Sequence, residues 1–299
     1  MPIMITGGNG SLVPLGNFIW FAINHPVSRH DPFGTGLRIA HWQVLSRLKS
    51  GPLVRPWFDD LRLNVSRGMT SATGNIYYGL HEFNPMAFVA HFVRPDDLFV
   101  DIGANVGTYS LLAASHCGAR VIAIEASPAT AACLADNVAL NGLSERIEVH
   151  GCAAGPSAGD IAITVQQGAA NHVVLADDAI GETVETVAMA TIDSIIGGRQ
   201  PAMMKLDVEG FENEVIAGAL ETLGADSLDA IQIESVDDDL DVLLGKCGFR
   251  RHWYDGAQRE LLDAPRGKLP GDAIYLRNLD RVRERLATAR TLNIRGLAL

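Results

Sequence analysis

Cysteine is scarce in this sequence, and the spacing of the few cysteines argues against two kinds of architecture. The 299 residues include four cysteines, and no two of them form a C-x-x-C pair. A disulfide-framed domain or a structural zinc site needs cysteines in greater number or in close pairs. We therefore expect reduced thiols, as in cytoplasmic proteins. The four residues are Cys117, Cys133, Cys152 and Cys247.

Long apolar runs are also lacking. The stretch from Leu12 to Ile23 is apolar, but Pro14, Gly16 and Asn17 interrupt it. It is shorter than the roughly 20 residues that a membrane-spanning helix needs. No Lys or Arg precedes it, as a secretory signal peptide would require. The sequence therefore predicts no membrane span and a cytoplasmic location.

Positive charge is in deficit, because 24 Lys and Arg residues oppose 35 Asp and Glu residues and the formal net charge is −11. A protein that binds nucleic acid neutralises phosphates with Lys and Arg, so this balance predicts no nucleic-acid partner. The C-terminal segment is an arginine-rich exception, which we interpret as the solvated face of an amphipathic helix, with a patch for an anionic ligand as the alternative. Its arginines are Arg277, Arg281, Arg283, Arg285, Arg290 and Arg295.

The chain does have enough apolar residues, 47%, for a sizeable core. Its length fits one domain with an N-terminal extension. We predict an extension over residues 1–75, a cofactor-binding domain over 76–276, and a C-terminal helix or tail over 277–299. The extension is expected to contribute substrate-side or dimer contacts.

Within the extension, residues 1–35 are rich in Gly, Pro and Asn, and we predict no long regular structure there. Apolar residues recur at helical spacing from Leu37 to Leu48, which predicts a helix. The runs Leu53–Trp57 and Leu61–Val65 flank an Asp-Asp turn. They predict a β-hairpin.

From residue 97 onward, strands alternate with helices. Several strands are apolar throughout, which indicates a parallel sheet covered on both faces. Such sheets bind ligands at the carboxyl ends of their strands. The region 160–190 departs from this rhythm and is predicted to be an inserted hairpin or flap. The predicted sheet strands are Leu98–Ile102, Arg120–Ile124, Ile147–His150, Ala202–Asp207 and Ala230–Glu234, with Phe249–Tyr254 and Ala273–Leu276 as a closing antiparallel pair.

The first strand ends in the run Asp101–Gly107, which reads D-I-G-A-N-V-G. Gly103 and Gly107 allow a tight turn and a close approach of the backbone to a ligand. A dinucleotide fingerprint needs G-x-G-x-x-G for its pyrophosphate, whereas this spacing is G-x-x-x-G. The Asp101 carboxylate suits a cationic ligand portion, such as the amino group or sulfonium region of S-adenosylmethionine. An ordinary buried turn with a capping Asp is the alternative.

Glu125 ends the second strand, where an acid can accept hydrogen bonds from both hydroxyls of a ribose. This position indicates an adenosine ligand but does not distinguish S-adenosylmethionine from NAD. A nicotinamide-dependent oxidoreductase therefore remains an alternative, as does a non-catalytic scaffold that keeps the fold.

These motifs, together with the block Lys205–Glu212 and the segment Asn75–Phe83, resemble the FkbM-type methyltransferase family over roughly residues 38–276. The resemblance implies an α/β class I methyltransferase Rossmann-like fold, with a mostly parallel seven-stranded sheet carrying one antiparallel strand. It also implies S-adenosylmethionine as cofactor and methyl transfer to oxygen on a sugar, glycan or natural product. Asn105 replaces the middle glycine of many methyltransferases, and FkbM-type proteins share this departure. The resemblance further implies that Glu82 folds over the methionine end of the cofactor.

Methylation of a hydroxyl requires a group that orients it and accepts its proton. Asp207 closes the fourth core strand and Glu209 follows it, so both are candidates, although both could merely cap the next helix. Lys205 lies inside an apolar strand and should pair with a carboxylate, in a catalytic or an architectural role. Asp207 and Glu234 together could hold Mg²⁺, but no metal-ligand motif supports this, and we predict no metal.

His172 lies in the predicted flap and titrates near neutral pH, so it is a further candidate base. A surface histidine in a loop is the alternative. The predicted partner is a hydroxylated small molecule or glycan whose identity the sequence does not give. An oligomer is compatible with the sequence.

Overall fold

The computed structural model describes residues 4–6, 12–49, 51–164, 183–265 and 273–299, with side chains from residue 18 onward. These residues form two compact units. The N-terminal unit contains the described residues up to Phe83 together with Thr291–Leu299, and the core unit contains those from Asn84 to Arg290. The domain boundaries after residues 75 and 276 stay predictions.

The N-terminal unit combines short helices with small hairpins. The predicted helix and the predicted hairpin are both present, as the second part of α3 and as the antiparallel pair β3 and β4. In chain order the elements are β1 (Met4–Thr6), β2 (Leu12–Pro14), α1 (Leu15–Asn24), α2 (Pro26–His30), α3 (Pro32–Leu48), β3 (Leu53–Pro56), β4 (Arg62–Val65) and α4 (Thr70–Tyr78).

The prediction that residues 1–35 lack long regular structure is wrong, because α1, α2 and the start of α3 lie there. Pro26 and Pro32 occupy the first turns of α2 and α3. A first-turn proline breaks no hydrogen bond, since that N–H has no helical partner. The side chain of His25 caps α2, and that of Asp31 caps α3 by accepting from the Gly34 amide at 2.9 Å.

The core unit is built around one large sheet. In chain order the elements from here to the last helix are α5 (Phe83–Phe92), β5 (Leu98–Ile102), α6 (Thr108–Ser115), β6 (Arg120–Ile124), α7 (Pro128–Leu140), β7 (Ile147–His150), β8 (Ala153–Ala154), β9 (Gly159–Thr164), β10 (Val184–Ala190), α8 (Ile192–Ile196), β11 (Pro201–Leu206), α9 (Glu212–Ala217), α10 (Leu220–Leu223), β12 (Ala230–Ile233), α11 (Asp238–Lys246), β13 (Arg250–Asp255), β14 (Glu260–Leu262), β15 (Ala273–Leu276) and α12 (Leu279–Ala287). The hairpin β16 (Asn293–Ile294) and β17 (Leu297–Ala298) follows.

The strand order of the large sheet is β14-β13-β15-β12-β11-β5-β6-β7. Strands β7, β6, β5, β11 and β12 are parallel, and β15 is antiparallel to both of its neighbours, β12 and β13. Apart from the edge strand β14, this order has a single reversed strand, β15, inserted next to β12. That arrangement is the class I methyltransferase Rossmann-like fold, so the predicted fold class is confirmed. The edge strand β14, a hairpin partner of β13, is an addition that the sequence did not predict.

The predicted insertion is present as an antiparallel pair of β9 and β10, which β8 extends to a three-stranded sheet. The strand predicted at Val173–Leu175 lies outside the described residues. The helix predicted at Phe211–Leu223 is two helices, α9 and α10, with a break at Gly218 and Ala219.

The C-terminal helix α12 is present, but some of its arginines are more than a solvated face. Arg281 pairs with the buried Asp229, and Arg285 pairs with Asp97. Arg277, just before the helix, stacks over the Phe249 ring at 4.6 Å. These partners lie far away in sequence, so local charge patterning could not predict them.

Among the described residues, every helix is too short or too polar to traverse a lipid bilayer.

Candidate active site

The candidate site lies at the carboxyl ends of β5, β6, β11 and β12. Neighbouring parallel strands end at the same edge of a sheet, so residues far apart in sequence meet there. Four acidic residues lie along this edge of the sheet: Asp101 in β5, Glu125 after β6, Asp207 after β11 and Glu234 after β12. The core unit thus concentrates carboxylates where the sequence predicted ligand binding.

The glycine loop after β5 packs tightly against its neighbours. Gly103 has a φ of +73°, and a Cβ there would lie 1.9 Å from the backbone oxygen of Asp207. Gly107 has a φ of +90°, and a Cβ there would lie 2.3 Å from Leu134. The positive φ favours glycine at both positions, and at Gly103 the contact with the backbone also excludes a side chain.

Asn105 lies in the left-handed region with a φ of +51°, which asparagine tolerates better than most residues. Its side-chain oxygen accepts a hydrogen bond from the Val106 amide at 2.8 Å. The Asn105 amide in turn donates to the Glu125 carboxylate at 2.9 Å. The residue at the usual middle-glycine position therefore joins the loop to the end of β6.

Glu125 is half-buried, and each of its carboxylate oxygens accepts one backbone amide. The donors are Asn105 and Ser127, both at 2.9 Å. Burial raises the pKa of Glu125, and the two amides oppose that rise. Because a carboxylate oxygen has two lone pairs, each oxygen keeps one acceptor position for a ligand hydroxyl.

A row of buried polar residues crosses three strands below the strand ends. Asp101 in β5 is in register with Lys205 in β11, which is in register with Gln232 in β12. All three side chains are buried. Tyr109 in α6 places its ring 4.6 Å from the Lys205 ammonium and its hydroxyl 3.3 Å from the Gln232 amide nitrogen. Lys205 thus has the electrostatic partners that a buried ammonium needs.

Asp101 is fully buried in this row. The Ser110 hydroxyl donates to its Oδ2 at 2.6 Å, and Oδ1 accepts no hydrogen bond from the described residues. Burial raises the pKa of Asp101, although the neighbouring Lys205 ammonium opposes this. A carboxyl group without exposed surface is well placed to organise Lys205 and the turn, and its predicted contact with a cofactor stays a prediction.

Asp207 lies where the row opens to solvent, and its carboxylate accepts a hydrogen bond from Lys205 at 2.8 Å. Burial acts to raise the pKa of Asp207, but the Lys205 ammonium and a hydrogen bond with Glu234 outweigh it and lower the pKa. The carboxylate of Asp207 is therefore ionised over the whole physiological pH range. Asp101 and Asp207 are neighbours whose environments shift their pKa values in opposite directions, a pattern typical of active sites.

Three carboxylates converge at this opening. One oxygen from each of Asp207, Glu209 and Glu234 lies within 4.8 Å of the others. Asp207 is half-buried, whereas Glu209 and Glu234 are exposed. Such a group has the chemistry to accept a proton or to bind a divalent cation. The prediction that the protein uses no metal stays a prediction.

Neither Asp207 nor Glu209 is the N-cap residue of the next helix. Helix α9 begins at Glu212, its N-cap residue is Phe211, and no side chain makes a capping hydrogen bond there. The Gly210 amide donates to the Glu212 carboxylate at 3.3 Å instead.

The structure brings together eight of the ten predicted site residues, and their individual roles stay predictions. Glu82 lies in the N-terminal unit, between α4 and α5, and His172 lies outside the described residues. Sequence reasoning did not include Tyr109, Ser110 and Gln232. The eight residues are Asp101, Gly103, Asn105, Gly107, Glu125, Lys205, Asp207 and Glu209.

The methyltransferase FkbM domain matches residues 101–251, about half of the chain. This span contains the glycine loop, Glu125, the buried row and the three carboxylates. The chain therefore belongs to the FkbM methyltransferase domain family. It is a methyltransferase whose cofactor is S-adenosylmethionine.

Several solved structures are similar to the chain at low identity. P. horikoshii TYW2 in complex with MeSAdo is 14% identical, with 92% of this chain and 90% of that chain covered and a TM-score of 0.44. M. capricolum TrmK in complex with S-adenosylhomocysteine is 9% identical, with 64% and 67% covered and a TM-score of 0.37. An rRNA methylase from Streptococcus thermophilus is 12% identical, with 64% and 90% covered and a TM-score of 0.36. None of the curated proteins matches the chain.

Proposed function

We propose that this methyltransferase transfers a methyl group to a hydroxyl of a sugar, glycan or natural product. The observation that carries the proposal is the Asp207 carboxylate, which Lys205 keeps ionised at a half-exposed strand end. A neutral hydroxyl is a weak nucleophile that gains from a hydrogen-bond acceptor. An amine acceptor must lose a proton before it attacks, and so close an array of carboxylates would stabilise its unreactive ammonium form.

The geometry of the core unit fits S-adenosylmethionine. Glu125 has two free acceptor positions for the ribose hydroxyls, and the backbone of the Gly103–Gly107 loop lies beside it. The negative charge of Asp207, Glu209 and Glu234 suits a cationic ligand. When bound, the cofactor supplies an electrophilic methyl group on a sulfonium.

In the proposed reaction, the hydroxyl oxygen forms a bond to the methyl carbon while the carbon–sulfur bond breaks and its electron pair returns to sulfur. The hydroxyl proton passes to the carboxylates at the strand end. Asp207 orients the hydroxyl by accepting its hydrogen bond. Because carboxylate oxygens of Asp207 and Glu234 lie within 4.8 Å of each other, the two acids are close enough to share the proton once it has been transferred.

Lys205 has a positioning role in this proposal. Its ammonium fixes the Asp207 carboxylate at 2.8 Å. It also keeps that carboxylate ionised, so the acceptor hydroxyl meets a hydrogen-bond acceptor and not a protonated acid. The buried Asp101 completes the charge balance around the ammonium.

The test measures transfer of labelled methyl groups from S-adenosylmethionine to pairs of acceptors that differ only at one position. Each pair contains a hydroxylated sugar or natural product and its counterpart with an amino group there. The proposal expects labelled ether with the hydroxyl member and no labelled amine with the other. Methylation of amino members alone would overturn the O-directed assignment while leaving the methyltransferase assignment intact.

A further inference from the structure

The helix α3 in the N-terminal unit has an unusual distribution of apolar residues. Thr35 and Trp42 form its buried face. At about 100° per residue, Phe33, Leu37, Val44 and Leu48 fall within one narrow stripe on the opposite face. An ordinary surface helix places polar residues on the side away from the core.

The stripe is strongly exposed. Phe33 and Leu48 expose 79% and 78% of their surface, and Leu37 and Val44 expose more than half of theirs. In the same unit, α1 carries no charged residue and also exposes Trp20 and Ile23. A contiguous row of large exposed apolar side chains marks a surface that contacts a partner.

Cations border this stripe. Arg47 adjoins one edge of it, and Arg55 brings a guanidinium nitrogen to within 2.9 Å of His41 at the other edge. Helix α3 contains no Asp or Glu. Its N-cap acid, Asp31, is already paired with Arg38 at 2.9 Å.

The segment around α3 also has an excess of positive charge. Between Phe18 and Met69 there are seven Lys or Arg residues and three Asp residues, in a chain whose net charge is −11. The local excess of cations is therefore opposite to the charge of the protein as a whole. A partner for this surface must combine an apolar layer with negative charge.

We propose that the α3 stripe docks the N-terminal unit onto the surface of an anionic lipid bilayer, with the helix lying in the plane of the interface. Apolar side chains enter the boundary between headgroups and acyl chains, and the flanking cations attract anionic headgroups. A second copy of the same face fits less well, because it would oppose cations to cations and supply no acid from α3. This mode of binding needs no helix that crosses the bilayer.

The test is co-sedimentation of the full chain with phosphatidylcholine vesicles that contain or lack phosphatidylserine. We expect binding to the anionic vesicles, weaker binding without phosphatidylserine, and loss of binding as the salt concentration rises. Substitution of Leu37→Ser together with Leu48→Ser should lower the partition coefficient by about tenfold or more, because it removes two inserted side chains. Substitution of Arg47→Gln should lower it by about fivefold, the share of one cation near the surface.

A matched control uses two apolar residues of the core unit that are also more than half exposed, Leu220 and Val242. Leu220→Ser with Val242→Ser should leave vesicle binding unchanged. Equal losses in the control and the stripe variant, or no binding by the unmodified chain, would overturn the proposal. Sedimentation equilibrium measures self-association. If the unmodified chain forms a dimer that the stripe substitutions abolish, and does not bind vesicles, the surface binds a second copy of the chain instead.

Discussion

The carboxylates at two strand ends of the core sheet accept hydrogen bonds from different kinds of donor. Glu125 after β6 accepts two neutral backbone amides, and burial raises its pKa. Asp207 after β11 accepts a buried ammonium, and its pKa is lowered. The amides fix the direction of Glu125 and leave one acceptor position on each of its oxygens. The ammonium fixes the ionisation of Asp207, which suits a role in the reaction itself.

The comparison predicts that substitutions at the two ends affect different steps. Changes at Asp207 should affect the rate of methyl transfer, whereas changes at Glu125 should affect cofactor affinity. Substitutions at four residues test this division, and we give the residues in order of decreasing expected effect.

The largest expected effect is that of Asp207→Asn on methyl transfer. Asparagine keeps the size of the side chain but cannot accept the proton, and loss of a general base typically lowers the rate by about 10²–10⁴-fold. Affinity for S-adenosylhomocysteine should stay within about twofold, because Glu125 and the glycine loop are unchanged. The measurements are kcat with an accepted substrate and calorimetry with S-adenosylhomocysteine. Turnover near that of the unmodified enzyme would remove Asp207 from the mechanism.

The second prediction concerns Lys205→Met. Loss of the ammonium leaves the buried Asp101 without its countercharge, and breaking a buried ion pair from one side costs about 3 kcal/mol of unfolding free energy. The pKa of Asp207 should rise, because burial then acts without the ammonium. In the profile of kcat against pH, the acid limb is the range in which activity is lost as the pH falls through that pKa. This acid limb should therefore move to higher pH.

Lys205→Arg is the matched control, since it keeps the charge but not the shape. It should keep the acid limb close to its original pH even if kcat falls. A profile in Lys205→Met with an unmoved acid limb would show that Lys205 is purely architectural.

The sequence predicted the sheet well because its strands are short apolar runs with clear ends. Leu98–Ile102, Arg120–Ile124 and Ile147–His150 have the predicted bounds. The positions of the loop and of Glu125 were predictable for the same reason, because each directly follows a strand. The helices near Pro26 and Pro32 were missed, because a proline marks a helix start or a helix break depending on the turn it occupies.

The buried row could not be predicted in full. Asp101, Lys205 and Gln232 are neighbours only through the register of β5, β11 and β12, and register is a property of the assembled sheet. The sequence did indicate that Lys205 needs a carboxylate partner. It contained no sign that Tyr109 would lie against the ammonium.

The third prediction concerns the other strand end. Glu125→Ala removes the acceptor of two backbone amides and, as we propose, of the ribose hydroxyls. Affinity for S-adenosylhomocysteine should therefore weaken by about 1–3 kcal/mol. Glu125→Gln keeps one acceptor oxygen and should weaken it less. Calorimetry measures both variants against the unmodified enzyme. Unchanged affinity in Glu125→Ala would show that this carboxylate does not bind the ribose.

The smallest expected effect is that of Tyr109, which contacts Lys205 through its ring and Gln232 through its hydroxyl. Tyr109→Phe keeps the ring and removes the hydroxyl, so unfolding free energy should fall by about 1 kcal/mol. The acid limb of the rate profile should stay in place, because the ammonium remains over an aromatic face. Tyr109→Leu also removes the aromatic face, whose cation–π interaction stabilises a cation by about 0.5–2 kcal/mol.

The ammonium in Tyr109→Leu then loses part of its stabilisation, and its hold on the Asp207 carboxylate should weaken. We expect the acid limb to shift to higher pH, in the same direction as in Lys205→Met but by less. Denaturant unfolding and rate profiles of the two Tyr109 variants separate the ring from the hydroxyl. Tyr109→Phe could instead move the acid limb as far as Tyr109→Leu does. In that case the Tyr109 hydroxyl and Gln232 position Lys205, and the aromatic face contributes only packing.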